Sequence, residues 1–182
     1  MRITINGIPG SGKSTVAKHI AKKLKLKYYA PGKMRREIAK ERGMTIAELN
    51  KLGEKERWTD IAIDNFQKKL AKKDNFIADG RLSWHFIPNS IKVFLTVKPE
   101  IGARRIFREK RKEERYKNVK EEMRALKERY RSDIKRYRKY YGIKNVYNLK
   151  NYDIIIDTSD MSMGQMKKAV LNAVLEFAGK KV

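Results

Sequence analysis

Residues 7–14 combine glycines, one lysine and one serine in a spacing that suits phosphate binding. The segment is Gly-Ile-Pro-Gly-Ser-Gly-Lys-Ser, which matches the pattern G-x-x-x-x-G-K-[ST] at every position. Glycines let successive backbone N–H groups converge on phosphate oxygens. In this pattern Lys13 contacts the β- and γ-phosphates, and the hydroxyl of Ser14 is a ligand of Mg²⁺. The chemistry that these residues predict is the binding of ATP or GTP.

The elements on either side of this segment are those that a phosphate-binding loop needs. Residues 2–6 are Arg-Ile-Thr-Ile-Asn, a stretch that predicts a short buried strand ended by Gly7. Val16, Ile20 and Leu24 recur at four-residue spacing, which predicts a helix over residues 14–26; the N-terminus of a helix favours an anion. A turn that matches the pattern by chance is the disfavoured alternative. The residues expected to bind the nucleotide are Gly7, Ile8, Pro9, Gly10, Ser11, Gly12, Lys13, Ser14 and Thr15.

A second candidate for the metal site is Asp79, at the end of the third predicted strand. A Walker-B carboxylate occupies this strand position in P-loop proteins, and we expect Asp79 to hold Mg²⁺ through a water molecule. Asp79-Gly80 is also a common turn pair, so an aspartate that only caps a turn is the alternative. The P-loop at residues 7–14 favours the metal role.

Strand patterns alternate with helix patterns along the whole chain. Strands are predicted at residues 2–6, 27–30, 75–79, 91–97 and 152–157, and helices near 14–26, 33–42, 45–54, 57–73, 99–109, up to about 141, and 162–177. Because strands that are separated by helices join by right-handed crossovers, the sheet should be parallel. The predicted fold is therefore α/β, a P-loop NTPase fold with a five-stranded parallel sheet and helices on both faces. The apolar runs at 91–97 and 152–157 predict strands that are buried on both faces.

The composition excludes several classes of protein. A length of 182 residues suits one domain over residues 1–182. The absence of cysteine excludes disulfides and thiolate zinc sites, and two histidines disfavour a histidine metal site. No apolar run reaches the roughly 18 residues of a membrane span, and no signal peptide precedes the first strand. We expect a cytoplasmic protein that does not bind membranes, and a monomer is favoured.

The charge of the chain is strongly positive, with a formal net value of +24. From Lys98 to Lys144, 19 basic residues stand against 8 acidic ones. Such a charge attracts polyanions, RNA among them. Composition alone favours the simpler interpretation, which is a set of solvated helical faces.

The long helix that ends near residue 141 carries both an apolar stripe and arginines. Arg129 and Arg136 are seven residues apart, so they project from nearly the same face, at the edge of the stripe. Kinases of small phosphates need several convergent arginines, although either arginine alone is also typical of a solvated face. No Asn-Lys-x-Asp motif is present, which excludes a switch GTPase. The stripe predicted to be core consists of Val119, Met123, Leu126, Tyr130, Ile134, Tyr137 and Tyr141.

Several short motifs together resemble one family of kinases. They are Gly32-x-x-x-Arg36, Arg42-Gly43-Met44, Asp60-x-x-x-Asp64-x-x-Gln67, Asp79-Gly80-Arg81-Leu82, Ala103-Arg104-Arg105-Ile106, Arg129-x-x-Ser132-x-x-x-Arg136-Tyr137, Tyr141-Gly142-Ile143, and Tyr152-Asp153 followed by Thr158-Ser159. Over residues 3–159 the chain resembles the nucleoside monophosphate kinases, most closely the short archaeal type of cytidylate kinase.

The resemblance implies transfer of a phosphoryl group from ATP, with Mg²⁺, to a nucleoside monophosphate, most closely CMP or dCMP. It implies an acceptor-binding helical region at about 31–73 and a short lid at about 109–118. The catalytic residues that it implies are Lys13, Arg36, Arg129 and Arg136. The residues that it implies for the acceptor are Gly32, Arg36, Asp64, Arg81 and Arg129, and for the ATP phosphates, besides the P-loop, Arg105 and Arg108.

Two alternatives stay open at this point. One is a P-loop kinase of another acceptor, such as AMP, UMP, a deoxynucleotide or an RNA 5′ end. The other is an adenylate-kinase-like ATPase that assists RNA or ribosome assembly, which the +24 charge favours. Adenylate kinases usually place Pro-Arg shortly after the Asp-Gly of the third strand, whereas here Arg81 follows Gly80 directly, which favours cytidylate kinase.

Overall fold

The computed structural model describes residues 1–108 and 116–180. Its strands are β1 (Arg2–Gly7), β2 (Lys27–Tyr29), β3 (Phe76–Asp79), β4 (Ile91–Thr96) and β5 (Ile154–Asp157). Its helices are α1 (Lys13–Lys23), α2 (Pro31–Glu41), α3 (Ile46–Gly53), α4 (Trp58–Leu70), α5 (Ser83–Phe86), α6 (Pro99–Arg108), α7 (Val119–Tyr141) and α8 (Met163–Gly179), with a short 3-10 turn at Leu149–Asn151.

The five strands form one parallel sheet in the order β2-β3-β1-β4-β5. Helices cover both faces because neighbouring side chains of a strand point in opposite directions. Val93 and Leu95 of β4 lie in the cluster formed with α1 and α8, whereas Phe94 packs on the opposite face beside Tyr137 of α7. The predicted P-loop fold with a five-stranded parallel sheet is confirmed.

The last strand differs from its prediction. The apolar run at 152–157 predicts a strand buried on both faces, but β5 lies at the edge of the sheet and Ile155 is 46% exposed. Ile154 is buried against α8, so one face of β5 is covered and the other is open at Ile155. The apolar run therefore predicted the existence of β5 correctly, but its prediction that both faces of β5 are buried was wrong.

Some element boundaries also differ from those predicted. The third strand begins at Phe76 because Asn75 has a left-handed backbone conformation, with φ of 56°. The helix predicted at 57–73 is Trp58–Leu70, and the short helix Ser83–Phe86 has no counterpart in the prediction. Among helices of the described ranges 1–108 and 116–180, none combines the length and apolar character that crossing a bilayer requires.

The apolar stripe of α7 is less buried than predicted. Of its seven members only Tyr137 is buried, and the other six are half-buried. The remaining buried side chains of the helix are polar: Glu122, Ser132, Asp133 and Arg136. Tyr130, Tyr137 and Tyr141 pack in one apolar cluster, as predicted. The prediction of an apolar core face is wrong for the other four members, because Asp133 and Arg136 bury ion pairs on this helix.

The P-loop packs closely against the first turns of α6. Gly10 and Gly12 have φ of 81° and 79°, a conformation that favours glycine. A Cβ on Gly102 of α6 would lie 2.7 Å from the carbonyl oxygen of Pro9 and 3.1 Å from Val97. The shape of the P-loop therefore depends on a residue without a side chain that lies about 90 positions further along the chain.

Gly102→Ala should lower the free energy of unfolding by about 1–3 kcal/mol, the usual cost of inserting a methyl group into a tightly packed contact. Gly164→Ala is the matched control, because this glycine is also in the first turns of a helix and its nearest neighbour is Ser162 Oγ at 4.0 Å. Alanine there should be neutral or stabilising by up to about 1 kcal/mol. Urea denaturation measures both, and equal effects would contradict the proposed steric role of Gly102.

Candidate active site

The loop between β1 and α1 has the geometry of an anion-binding site. The N–H of Ile8 donates to the carbonyl of Leu95 (3.0 Å) and that of Ser11 to the carbonyl of Ile8 (3.1 Å), which holds the turn. Lys13 is the first residue of α1, and no side chain of the described residues caps this helix end. Its first N–H groups are therefore directed at the place where phosphates would lie.

Two hydroxyls and one carboxylate meet beside Lys13. Ser14 donates from Oγ to Oδ2 of Asp79 (2.5 Å), and Tyr28 donates from its hydroxyl to the same oxygen (3.2 Å). Asp79 reaches this place because its strand is paired in register with β1, Ile5 opposite Asp79. Burial, and next the Asp79 carboxylate, raise the pKa of Tyr28, which therefore remains a hydrogen-bond donor.

These groups suit Mg²⁺ in the kind and number of their atoms. Mg²⁺ takes hard oxygen ligands and usually keeps several waters, with only one or two protein carboxylates. Ser14 and Asp79 supply oxygen donors of that kind. Within residues 1–108 and 116–180, no cluster of three acidic, histidine or cysteine side chains exists that would hold a metal without a nucleotide.

Arg105 links the P-loop to the loop that follows β5. Its Nη2 donates to the carbonyls of Thr158 (2.8 Å), Met161 (3.2 Å) and Ser159 (3.3 Å). Its Nη1 donates to Thr158 Oγ1 (3.3 Å) and the Gly10 carbonyl (3.4 Å). The prediction is that Arg105 contacts ATP phosphates, and in the structure its guanidinium donates to carbonyls of the P-loop and of the loop after β5. Arg108 is exposed at the end of α6.

A buried arginine joins the three helices of the predicted acceptor region. Nε of Arg35 donates to Oδ1 of Asn50 (2.8 Å), and its Nη1 donates to Oδ1 of Asp60 (2.8 Å) and to the carbonyl of Thr59 (3.1 Å). Its Nη2 donates to the carbonyl of Leu49 (3.2 Å). One side chain of α2 is thus bonded to both α3 and α4.

Arg136 continues this network into α7. Its Nε lies 3.2 Å from Oδ2 of Asp60, and its Nη1 donates to Oδ1 of Asn50 (3.2 Å). Its Nη2 donates to Oδ1 of Asp133 (3.1 Å). Arg35 and Arg136 therefore share both Asn50 and Asp60. Burial, and next the charge of Arg136, lower the pKa of Arg35.

Arg81 is bonded to the other end of the network. Its Nε lies 2.7 Å from Oδ2 of Asp133 and donates to the hydroxyl of Tyr147 (3.1 Å). Burial alone would raise the pKa of Asp133, but Arg81 and Arg136 outweigh it and the pKa is lowered. Within the described part of the chain, the ion pairs of this network thus join three guanidinium groups to two carboxylates, an excess of one positive charge. A neighbouring anion compensates such an excess.

Glycine at position 53 is required by the same network. A Cβ on Gly53 would lie 2.8 Å from Nη2 of Arg35 and 3.1 Å from Cδ of Arg136. The end of α3 therefore lies directly on the two guanidinium groups, and no side chain fits between them.

The remaining acceptor candidates lie around this network. Arg36 is half-buried on α2, and its charge acts on the hydroxyl of Tyr28, beside Asp79. Arg129 is half-buried on α7, and its charge acts on Asp133. Asp64 is buried on α4 and accepts from the hydroxyl of Tyr141 (2.7 Å). Burial raises the pKa of Asp64, and the hydrogen bond from Tyr141 opposes this rise.

Gly32 and the predicted lid are the two predicted parts that remain to be located in the structure. Gly32 is the second residue of α2, and a Cβ there would meet no heavy atom of the described residues within 4 Å. The predicted lid at 109–118 lies outside the described residues except for positions 116–118. Of these, Asn118 caps α7, since its side chain accepts from the N–H of Glu121 (2.9 Å).

Comparison with known proteins decides the family. The cytidylate kinase of Archaeoglobus fulgidus is 38% identical over 176 residues, which cover 96% of this chain and 94% of that protein. The cytidylate kinase of Methanocaldococcus jannaschii is 37% identical over 179 residues, 96% of this chain and 97% of that one. The chain belongs to the cytidylate kinase family. The resemblance inferred from the short motifs is confirmed.

Two further comparisons agree with this family and with its fold. Residues 3–127 match the family described as AAA domain. The structure of shikimate kinase from Bacteroides thetaiotaomicron superposes with a TM-score of 0.64 over 98% of each chain, at 19% identity. At that identity the likeness concerns the fold alone, a P-loop kinase sheet with its covering helices.

Several residues that connect this cytidylate kinase site are absent from the sequence prediction. Asp133 lies three residues before Arg136 on one helix, and this spacing is typical of an ion pair. The sequence could therefore have predicted this pair. Asn50 and the Tyr28 hydroxyl carry no such signal, because their partners come from distant parts of the chain. Arg35 is adjacent to Arg36, and only the burial of its side chain distinguishes the two roles.

Arg35→Met should lower the free energy of unfolding by roughly 3 kcal/mol, because it leaves buried acceptors of α3 and α4 without a donor. Arg36→Met is the matched control on the same helix. Because Arg36 is half-buried, its loss should cost less than about 1 kcal/mol. Chemical denaturation of both variants tests this difference, and an equal loss of stability would refute the anchoring role of Arg35.

Proposed function

We propose that this protein transfers the γ-phosphoryl group of ATP to CMP or dCMP and releases ADP and the nucleoside diphosphate. The observation that carries the proposal is the juxtaposition of a P-loop with an arginine-rich acceptor region, in a chain that matches cytidylate kinases over nearly its whole length. The acceptor phosphate is already ionised at neutral pH, so the reaction needs no general base.

The donor side of the reaction belongs to the P-loop. We propose that Lys13 and the N–H groups at the start of α1 bind the β- and γ-phosphates of ATP. Ser14 and Asp79 would hold Mg²⁺, Asp79 through a water, and Tyr28 would keep the Asp79 carboxylate in place. When bound, Mg²⁺ neutralises the charge of the phosphate oxygens.

The acceptor side belongs to α2, α4 and α7. We propose that Arg36 and Arg129 bind the phosphate of the nucleoside monophosphate, whose negative charge would also offset the excess positive charge of the buried network. Arg136 was predicted to contact the transferring group. Since its guanidinium is bonded to Asp133 and Asn50, we propose that it positions the acceptor site instead.

Acceptor-dependent formation of ADP tests this function. A coupled assay with CMP, dCMP, UMP, AMP and no acceptor should show a large stimulation by CMP or dCMP. Lys13→Ala should lower kcat by about 10²–10³-fold, as the loss of one preorganised charge usually does. Lys22→Ala, an exposed lysine on the same helix, is the control and should stay near wild type.

The same assay discriminates between this function and the alternative. ATP turnover that no nucleoside monophosphate stimulates, but that RNA enhances, would instead support an ATPase that assists RNA assembly. Normal CMP turnover in a folded Lys13→Ala variant would exclude phosphoryl transfer at the P-loop.

Arg81 is our candidate for recognition of the base. Its Nε is occupied by Asp133 and Tyr147, so among contacts within the described residues its Nη groups remain for a ligand. Cytosine presents O2 and N3 as adjacent acceptors, which suit the paired N–H groups of a guanidinium. Adenine presents a donor at N6 beside N1, and such a mismatch costs about tenfold to a hundredfold in discrimination.

Arg81→Lys should therefore reduce the preference for CMP over AMP by about tenfold or more, because lysine keeps the charge beside Asp133 but loses the planar fork. The ratio of kcat/KM for the two acceptors is the measurement. A variant that loses activity with both acceptors, at an unchanged ratio, would place Arg81 at the phosphate or the ribose.

A further inference from the structure

Helix α7 presents two chemically different faces. The face toward the body of the protein carries Asp133 and Arg136 in the buried network. The opposite face carries a line of cations, which we call the basic stripe. Its members are Lys120, Arg124, Lys127, Arg131, Lys135 and Arg138, all of them exposed.

The basic stripe is straight and evenly spaced. Its members follow one another at three or four residues, so on an α-helix they lie within a narrow arc of the surface. From Lys120 to Arg138 the stripe extends about 27 Å along the axis, at about 1.5 Å per residue. Successive charges are therefore about 5–6 Å apart, a distance typical of side chains one helical turn apart.

Like charges so close together destabilise a helix unless something compensates for them. A face that serves solubility alone usually alternates positive and negative residues. On α7 only Glu128 is an exposed acidic residue. Within the described part of the chain, the ion pair of the stripe is Lys135 with Glu54, at 3.5 Å, and the Lys135 side chain is 70% exposed. Within residues 1–108 and 116–180, the repulsion along the stripe is thus compensated by this one long ion pair.

A cleft of about 670 Å³ runs beside the stripe, between α3 and α7. Arg124, Arg131 and Lys135 of the stripe line it together with apolar Ile46 and Leu126. Its acidic lining residues are Glu48, Glu54, Glu121, Glu122 and Glu128. A volume of this size is in the range of pockets that hold small organic molecules. Proteins bind unpaired nucleotides by combining cations along the nucleic-acid backbone with aromatic side chains on which the bases stack, and Tyr116 lines this cleft.

We propose that the basic stripe and this cleft bind single-stranded RNA, with the phosphates on the stripe and an unpaired base in the cleft. RNA offers such unpaired segments as loops, bulges and ends. An anionic membrane fits less well, because α7 has no exposed large apolar side chain to insert among lipids. The stripe faces away from Asp133 and Arg136, but the cleft beside it is also lined by Asn50 and Arg129, so RNA in the cleft would compete with the nucleoside monophosphate of the proposed kinase reaction.

Binding of a fluorescent, unstructured 12-nucleotide oligouridine by the whole protein tests the proposal. The stripe variant is Arg124→Gln/Lys127→Gln/Arg131→Gln. Its matched control, Lys22→Gln/Lys23→Gln/Lys168→Gln, removes the same charge from exposed lysines of α1 and α8. Fluorescence anisotropy over a range of salt concentrations gives the affinity and the number of phosphate contacts.

The stripe variant should bind the RNA at least about tenfold more weakly than wild type, and its salt dependence should fall by about 2 in log–log slope, since each phosphate contact on a single strand contributes about 0.7. The control variant should stay within about threefold of wild type. Phosphorylation of CMP should be normal in both variants, which shows that they are folded.

Three results would overturn the proposal. An equal loss of RNA affinity in the stripe and control variants would mean that binding depends only on the net charge of the protein. If the wild-type protein does not bind the oligouridine at about 0.1 M salt, the proposed site does not exist, because salt at this concentration screens the charges only partly. Tighter stripe-dependent binding to duplex RNA, or to phosphatidylserine–phosphatidylcholine vesicles, would replace single-stranded RNA by another partner.

Discussion

The carboxylate of Asp60 lies between two buried guanidinium groups, and the geometry of the acceptor region depends on this shared ion pair. Arg35 approaches it from α2 and Arg136 from α7. Buried charges are stable only when they are paired and hydrogen-bonded, and here Asn50 satisfies both arginines at once. The interaction ties α2 to α4 and α7 through buried polar contacts, beside the apolar cluster that α2 and α3 form around Ala39 and Leu49, and it thereby fixes the helix that carries Arg36.

A second set of contacts holds the donor side. The parallel register brings the ends of β1 and β3 level, so that Ser14 and Asp79 meet. Arg105 then joins the P-loop to the loop after β5, and Gly102 allows α6 to approach the P-loop closely. The donor and acceptor sides are thus each internally bonded by guanidinium groups, whereas the sheet provides the frame that keeps them opposite each other.

The sequence allowed the fold and the P-loop to be predicted, because both depend on local signals. Alternating strand and helix patterns specify a parallel sheet, and the segment 7–14 is contiguous. The polar network could not be predicted, since Arg35 finds its partners 14 to 25 residues away in the chain. Periodicity also misrepresented α7, where Asp133 and Arg136 occupy the depth that apolar residues such as Leu126 were expected to fill. Long-range pairing of charged groups leaves no local pattern.

The missing side chain at Gly53 has a consequence for how this site can change over evolution. A methyl group there would press on the guanidinium of Arg35 and on the side-chain stem of Arg136. Residue 53 can therefore gain a side chain only in a lineage in which residues 35, 59 and 136 leave room for it. Positions 35, 53, 59 and 136 are thus coupled in inheritance, and an acceptor region taken from a relative has to be transplanted with all of them.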